Sequence, residues 1–187
     1  MPAALFMAVT KTLIKGIASR ETPPSEVLTR VNRELCTENS AAMFVTVFCG
    51  TLDLRSGELR YSNAGHNPPL AVRRGGGAEW LDVPPGLVLG VDVDSTYETR
   101  TGRLGPGDML LVYSDAVTEA MNPQRQLFSD ARPKDVAARC SGKATAETVQ
   151  AVLGSTRAFA SGPTPSDDIT ILAVRYKGLS PAALAER

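Results

Sequence analysis

Gly105-Pro-Gly-Asp108 leaves room only for a tight reversal between two strands. Ahead of it, Thr96 to Leu104 alternates, with Tyr97, Thr99 and Thr101 on one face; behind it, Met109 to Tyr113 is a continuous apolar run. A parallel crossover needs about a dozen residues or more, usually a helix, so this connection suits an antiparallel hairpin. One turn thereby commits the middle of the chain to antiparallel sheet.

The neighbouring segments agree. Met43 to Leu54 is rich in β-branched and aromatic residues and apolar on both parities, which predicts a strand covered on both faces. Ser56-Gly57 turns it into Leu59 to Ser62, and Leu70 to Arg74 pairs with Glu79 to Val83 across Gly75-Gly76-Gly77. Pro84-Pro-Gly86 leads into Leu87 to Val91, and a final strand covers Ile169 to Tyr176. Helical spacing predicts a helix over Pro2 to Arg20, with Leu5, Val9, Leu13 and Ile17 on one face, and a second over Glu26 to Glu38. Two more are expected at Pro133 to Cys140 and Thr145 to Ala160, the latter capped by Thr145 or Thr148. Helices, then antiparallel strands, then helices and one last strand make an α+β fold. Its 187 residues are enough for one domain with a substantial core, followed by a tail over 177–187.

Composition narrows the function classes. Acidic and basic residues balance at 20 each, so no general basic field draws the chain to nucleic acid or to an anionic membrane. Cys36, Cys49 and Cys140 are odd in number and lack CxxC spacing, which fits a reducing cytoplasm better than a disulfide framework or a zinc site. The N-terminus carries no signal-peptide pattern, and no apolar run approaches the ~20 residues that span a bilayer. A cytoplasmic chain without membrane or nucleic-acid partners is expected.

Candidate chemistry gathers on carboxylates. Asp115 follows the apolar run at Ser114, and Asp167-Asp168 precedes the last strand. Two acidic groups, each at a strand end, are either solvated turn residues or a site for a hard divalent cation such as Mg²⁺ or Mn²⁺. Asp92-Val-Asp94-Ser-Thr96 matches the DxDxT form of aspartyl-phosphate hydrolases of the haloacid-dehalogenase type. Those enzymes resemble doubly wound parallel sheets, which the hairpin at Gly105 excludes, so Asp92 and Asp94 read as an acidic turn. His66, the single histidine, could serve as a general acid or base near neutral pH. Flanked by Gly65, Asn67 and two prolines, it reads more simply as a turn residue bonded to nearby backbone.

Three segments, Tyr61-Ser-Asn-Ala-Gly-His-Asn-Pro-Pro69, Leu111-Val-Tyr-Ser-Asp-Ala-Val-Thr-Glu-Ala120 and Ser166-Asp-Asp-Ile-Thr-Ile-Leu172, together resemble the SpoIIE-type branch of bacterial PPM (type 2C-like) serine/threonine phosphatases. Met1-Pro-Ala-Ala-Leu-Phe-Met-Ala8 is similar to that family's first helix, and the match runs to about Tyr176. The resemblance implies a β-sandwich flanked by helices and a two-metal centre, usually Mn²⁺ or Mg²⁺. It implies that Asp115 and Asp167 are metal ligands, with Asp168, Ser114 and Ala116 beside them. The implied reaction is hydrolysis of phosphoserine or phosphothreonine by a metal-activated water. The implied substrate is a phosphorylated anti-sigma-factor antagonist.

Two departures shape the expectation. The family carries a metal-bridging aspartate and an Asp-x-x-Gly-Lys-Gly segment ahead of the first helix, whereas this sequence starts where that segment would end. Asp115 and Asp167 are thus expected to be half of a site, in a fold incomplete at its N-terminus. A non-catalytic pseudophosphatase or interaction module, dimerising through the N-terminal helices, is the alternative. The second departure is Ala116, where the family usually has glycine; a position needing φ > 0 would be strained by alanine.

Overall fold

The tight turn forms, with the Asp108 N–H donating to the Gly105 carbonyl at 2.9 Å and Gly107 at a φ of 96°. It does not close the expected hairpin: Arg100–Arg103 and Met109–Tyr113 belong to different sheets, because each finds its pairing partners elsewhere in the chain. Leu104 before it is buried, and Met109 to Leu111 after it are buried as a run. The structure, a computed structural model, describes residues 3–37, 39, 41–160 and 168–179. Its elements are α1 (Ala3–Ile17), α2 (Pro24–Thr37), β1 (Val47–Leu52), β2 (Glu58–Ala64), β3 (Leu70–Val72) and β4 (Ala78–Trp80). They continue with β5 (Arg100–Arg103), β6 (Met109–Tyr113), α3 (Asp115–Thr118), α4 (Ala131–Arg139), α5 (Thr145–Ala160) and β7 (Ile171–Arg175). Helices grouped with antiparallel sheets bear out the α+β expectation.

The chain divides into two compact units. One comprises Met1–Asp53, Glu58–His66 and Asp82–Gly102; the other comprises Leu54–Gly57, Asn67–Leu81 and Arg103–Arg187. The first holds α1, α2 and a three-stranded sheet of order β1-β2-β5. Its core gathers Phe6, Val27, Leu28, Val31 and Leu35 against Ala64 and Leu89.

Helix α1 buries a different face from the one its spacing predicts. Leu5 and Val9 are 51% and 36% exposed, while Phe6 and Thr10 are buried and Leu13 and Ile17 pack against the core. A strict i, i+4 row drifts around a helix of 3.6 residues per turn, and the mixed i+3/i+4 row of Phe6, Thr10, Leu13 and Ile17 follows the core instead. Thr10 can join that stripe because its hydroxyl donates to the Phe6 carbonyl at 2.8 Å. The long strand expected from Met43 is also shorter, and its residues are half-buried rather than covered on both faces. Asn39 holds the start of that segment out of the sheet: its side chain accepts from Met43 N–H and donates to the carbonyls of Met43 and Gly90.

Asn32, fully buried on α2, makes a similar clasp. Its Nδ2 donates to the Asp92 carbonyl at 2.7 Å and its Oδ1 accepts from Gly90 N–H at 2.9 Å. Asn32→Ala is expected to cost about 2 kcal/mol, because the buried Gly90 N–H loses its acceptor; a urea midpoint within error of the parent would show that water replaces the amide.

The second unit holds a four-stranded sheet of order β4-β3-β6-β7, antiparallel throughout. Leu70 faces Leu111, which faces Ala173, and Val72 faces Met109. This register puts Leu70, Val72, Met109, Leu111 and Tyr113 on one face, where Val117, Val136, Ala137 and Val152 of the helices cover them. Thr148, expected as a cap of α5, is instead fully buried and bonds back to the Ala144 carbonyl; Glu147 caps by accepting from Ala144 N–H.

Candidate active site at one end of the four-stranded sheet

Antiparallel pairing decides which segments meet. Leu70 opposite Leu111, in the middle of β6, runs the lead-in of β3 toward the end of β6, and Tyr113 opposite Ile171 sets the end of β6 beside the start of β7. The lead-in Asn67-Pro68-Pro69, the exit Ser114-Asp115 and the lead-in Asp168 to Thr170 therefore share one end of the sheet. Pieces of all three sequence motifs, dispersed over about a hundred residues of chain, converge there.

Ser114 stitches two of them together. It sits at the N-cap of α3 with φ −69° and ψ 158°, yet its hydroxyl makes no cap bond. The hydroxyl turns across to β7, accepts from Thr170 N–H at 3.1 Å and lies 3.5 Å from the Asp168 carbonyl, while Ser114 N–H donates to the Thr170 carbonyl at 3.0 Å. A serine that would ordinarily satisfy its own helix is diverted to fix the strand bearing the other acidic residue.

Asp115 opens α3, and its side chain is exposed. Its Oδ1 accepts from Ala116 N–H at 2.9 Å, which orients the carboxylate. Behind it, the Asp115 carbonyl accepts from Glu119 N–H at 2.8 Å and from the Thr118 hydroxyl at 3.0 Å. Ala116 lies within this helical turn and is not among the residues at positive φ, so the alanine carries no left-handed strain. The Tyr113 phenol just before the turn is pushed up from its ordinary value by burial and then by the Asp130 carboxylate.

Asp168 is exposed at the start of the β7 segment, and Asp167 lies outside the described residues. Among the described residues no group of three or more His, Cys, Asp and Glu side chains comes together as a metal cluster. The donors present at this sheet end, Asp115 and Asp168, are hard carboxylate oxygens, and such chemistry fits Mg²⁺ or Mn²⁺ rather than a thiophilic ion.

The other sequence candidates fall in the first unit. Asp92 closes a turn on itself: Oδ1 accepts from Asp94 N–H and Oδ2 from the Ser95 hydroxyl, as an acidic turn should. His66 lies within its motif in irregular chain after β2, and its backbone carbonyl accepts from Asn63 Nδ2 at 2.9 Å. Gly65 has a φ of 69°, and a Cβ there would stand 2.5 Å from Val88 Cγ1, so the motif's glycine is fixed by shape.

Sequence reasoning overlooked Asn67, Thr118 and Thr170. Two signals were available: a threonine on the buried side of a short apolar turn, and an asparagine held extended by the proline after it.

Comparison with known proteins agrees with this architecture. The family model for Stage II sporulation protein E (SpoIIE) matches residues 1–177. Protein IcfG of Synechocystis sp. is 28% identical over 201 residues, covering 92% of this chain and 31% of that protein. The phosphoserine phosphatase RsbU of Bacillus subtilis is 32% identical over 119 residues, covering 64% of this chain and 36% of that protein. The chain thus spans about a third of the length of these relatives. The structure of the RsbU and RsbW domains of Rv1364c from Mycobacterium tuberculosis superposes with a TM-score of 0.77 at 28% identity, over 96% of this chain and 49% of that one. The SiaA-PP2C domain of Pseudomonas aeruginosa shares the fold, with a TM-score of 0.77 at 21% identity over 92% of this chain and 68% of that one. With pieces of its three motifs at one sheet end and its length matched almost throughout, the chain belongs to the SpoIIE family and has the α+β fold of PPM-type phosphatases.

Proposed function

We propose that this chain, over 1–176, is the phosphatase domain of a metal-dependent protein serine/threonine phosphatase that acts on a phosphorylated regulatory protein. The observation that carries the reading is the meeting of Asp115 and the Asp168 segment at one sheet end, under the Ser114 clasp. The name of the phosphoserine phosphatase RsbU, a relative over 64% of this chain, supports the reaction class.

In this reading Asp115 and Asp167 hold Mn²⁺ or Mg²⁺, with Asp168, Ser114 and Ala116 beside them. Bound there, the metal would supply an activated water and polarise the phosphoryl oxygens. The chain's own part is to fix the carboxylates. Ala116 N–H orients Asp115, and Ser114 ties the Asp168 segment to the end of β6. The proposed partner is an anti-sigma-factor antagonist and the proposed location the cytoplasm; an RsbU domain stands beside an RsbW domain in the mycobacterial structure, which is consistent with a regulatory partner. No described helix is long and apolar enough to cross a membrane. Leu5 and Val9, exposed on one face of α1, offer a surface for self-association.

Phosphate release from a phosphoserine-bearing antagonist protein, assayed with Mn²⁺ and with EDTA, tests the reading. Release that requires Mn²⁺ and stops on chelation is expected. If neither this chain nor an upstream-extended version releases phosphate in Mn²⁺, yet binds the antagonist, the interaction-module alternative replaces it.

A further inference from the structure

A helical turn of four residues has almost no stability of its own, because nucleation costs more than its few hydrogen bonds return. Helix α3 is such a turn, yet it carries Asp115. What fixes it is a chain of side-chain bonds. Thr118 is 8% exposed; its hydroxyl donates to the Asp115 carbonyl at 3.0 Å and accepts from Asn67 Nδ2 at 3.3 Å. One donor and one acceptor function of the hydroxyl are thereby used. Asn67 is in turn restrained by Pro68, which disfavours the helical region for the residue before it. On the far side of Asp115, Ser114 is bound to Thr170. Asp115 is therefore bracketed by Ser114 and Thr118, each anchored to the lead-in of a different neighbouring strand.

We propose that Thr118, held by Asn67, is a positioning residue that sets the backbone of Asp115 and through it the direction of the Asp115 carboxylate. This rests on the proposed role of Asp115 only for its consequence in metal binding; the positioning itself is a property of the apo chain. It also gives the Asn67-Pro-Pro segment a role distinct from that of His66. The bland alternative is a threonine that bonds back along its own helix and merely adds stability.

Three variants separate the two. Thr118→Val removes the hydroxyl at nearly constant volume, Thr118→Ser keeps it, and Asn67→Ala removes the anchor. The readout is amide hydrogen exchange at Ala116, whose N–H bonds the Asp115 carboxylate, with Mn²⁺ affinity from the paramagnetic resonance of the bound ion as a second readout. Thr118→Val and Asn67→Ala are expected to speed Ala116 exchange about tenfold, the size of one net hydrogen bond, and Thr118→Ser to restore it. Mn²⁺ affinity should fall about tenfold in the same two variants, the usual effect of losing a group that orients a ligand. Unchanged Ala116 exchange in Thr118→Val, or no rescue by serine, overturns the proposal even if stability drops. Asp115→Asn judges the other reading separately: if it leaves Mn²⁺ affinity intact, Asp115 is not a ligand, while the exchange result still decides the positioning role.

Discussion

Asp115→Asn is expected to lower Mn²⁺-dependent phosphate release by roughly a hundredfold or more, since a bound cation supplies several kcal/mol of charge stabilisation and each ~1.4 kcal/mol lost is tenfold. The substitution is close to isosteric. The asparagine oxygen can still accept from Ala116 N–H, as the aspartate Oδ1 does at 2.9 Å, and the side chain is exposed, so the urea midpoint should stay near the parent's. What disappears is the negative charge that would draw the ion. Asp92→Asn makes the control: Asp92 belongs to the other unit and spends its carboxylate on its own turn, so release should stay within about twofold. Undiminished release by Asp115→Asn at saturating Mn²⁺ would remove Asp115 from the site. A collapse in Asp92→Asn would return the DxDxT reading.

How far the sequence could be read depended on whether a signal was local. The turn at Gly105 to Asp108 needs nothing beyond its own residues and it forms, but the strand pairing expected across it does not, because that pairing is decided by partners remote in sequence. The span of α5 was legible for the same reason, down to its first and last residues. The face of α1 was not, because Thr10 looks polar until its hydroxyl is seen bonded to the Phe6 carbonyl, which lets it replace an apolar residue in the stripe. The strand expected from Met43 was shortened by Asn39, which makes two bonds to Met43 and a third to Gly90 in a loop remote in sequence. At the site, the acidic residues stood out by type, and the register of β6 with β7 shows why they meet. The clasps around them did not stand out, because Ser114, Thr118 and Asn67 are ordinary turn and cap residues whose partners are remote in sequence. The Ala116 departure looked costly only under the assumption of positive φ, and the helical turn removes that cost.

Asp108→Ala should be among the most destabilising single changes in the second unit, by about 3 kcal/mol, although Asp108 stands at the opposite end of β6 from the site. Its side chain is 12% exposed. It accepts from Arg74 N–H at 2.9 Å, from Gly105 N–H at 3.0 Å and from the Arg73 guanidinium at 2.7 Å. Truncation strands the Arg74 and Gly105 amides, while the Arg73 guanidinium keeps Glu79 and the Arg103 carbonyl. The same contacts set a pH dependence. Burial alone would raise the Asp108 carboxyl, but the Arg74 amide, the Arg73 guanidinium and the Gly105 amide outweigh it and hold its pKa below the ordinary value. A carboxylate whose folded pKa is depressed contributes stability that is present above its unfolded pKa, about 3.9, and is lost as pH falls through the folded value. The gap in urea midpoint between parent and Asp108→Ala should therefore be full at pH 7 and shrink below about pH 4. A gap that does not change between pH 7 and pH 3 would mean that the three bonds act through packing rather than charge. The effect on function should be indirect, since a less stable β6 lowers the fraction of folded chain without altering the metal dependence of the molecules that remain folded.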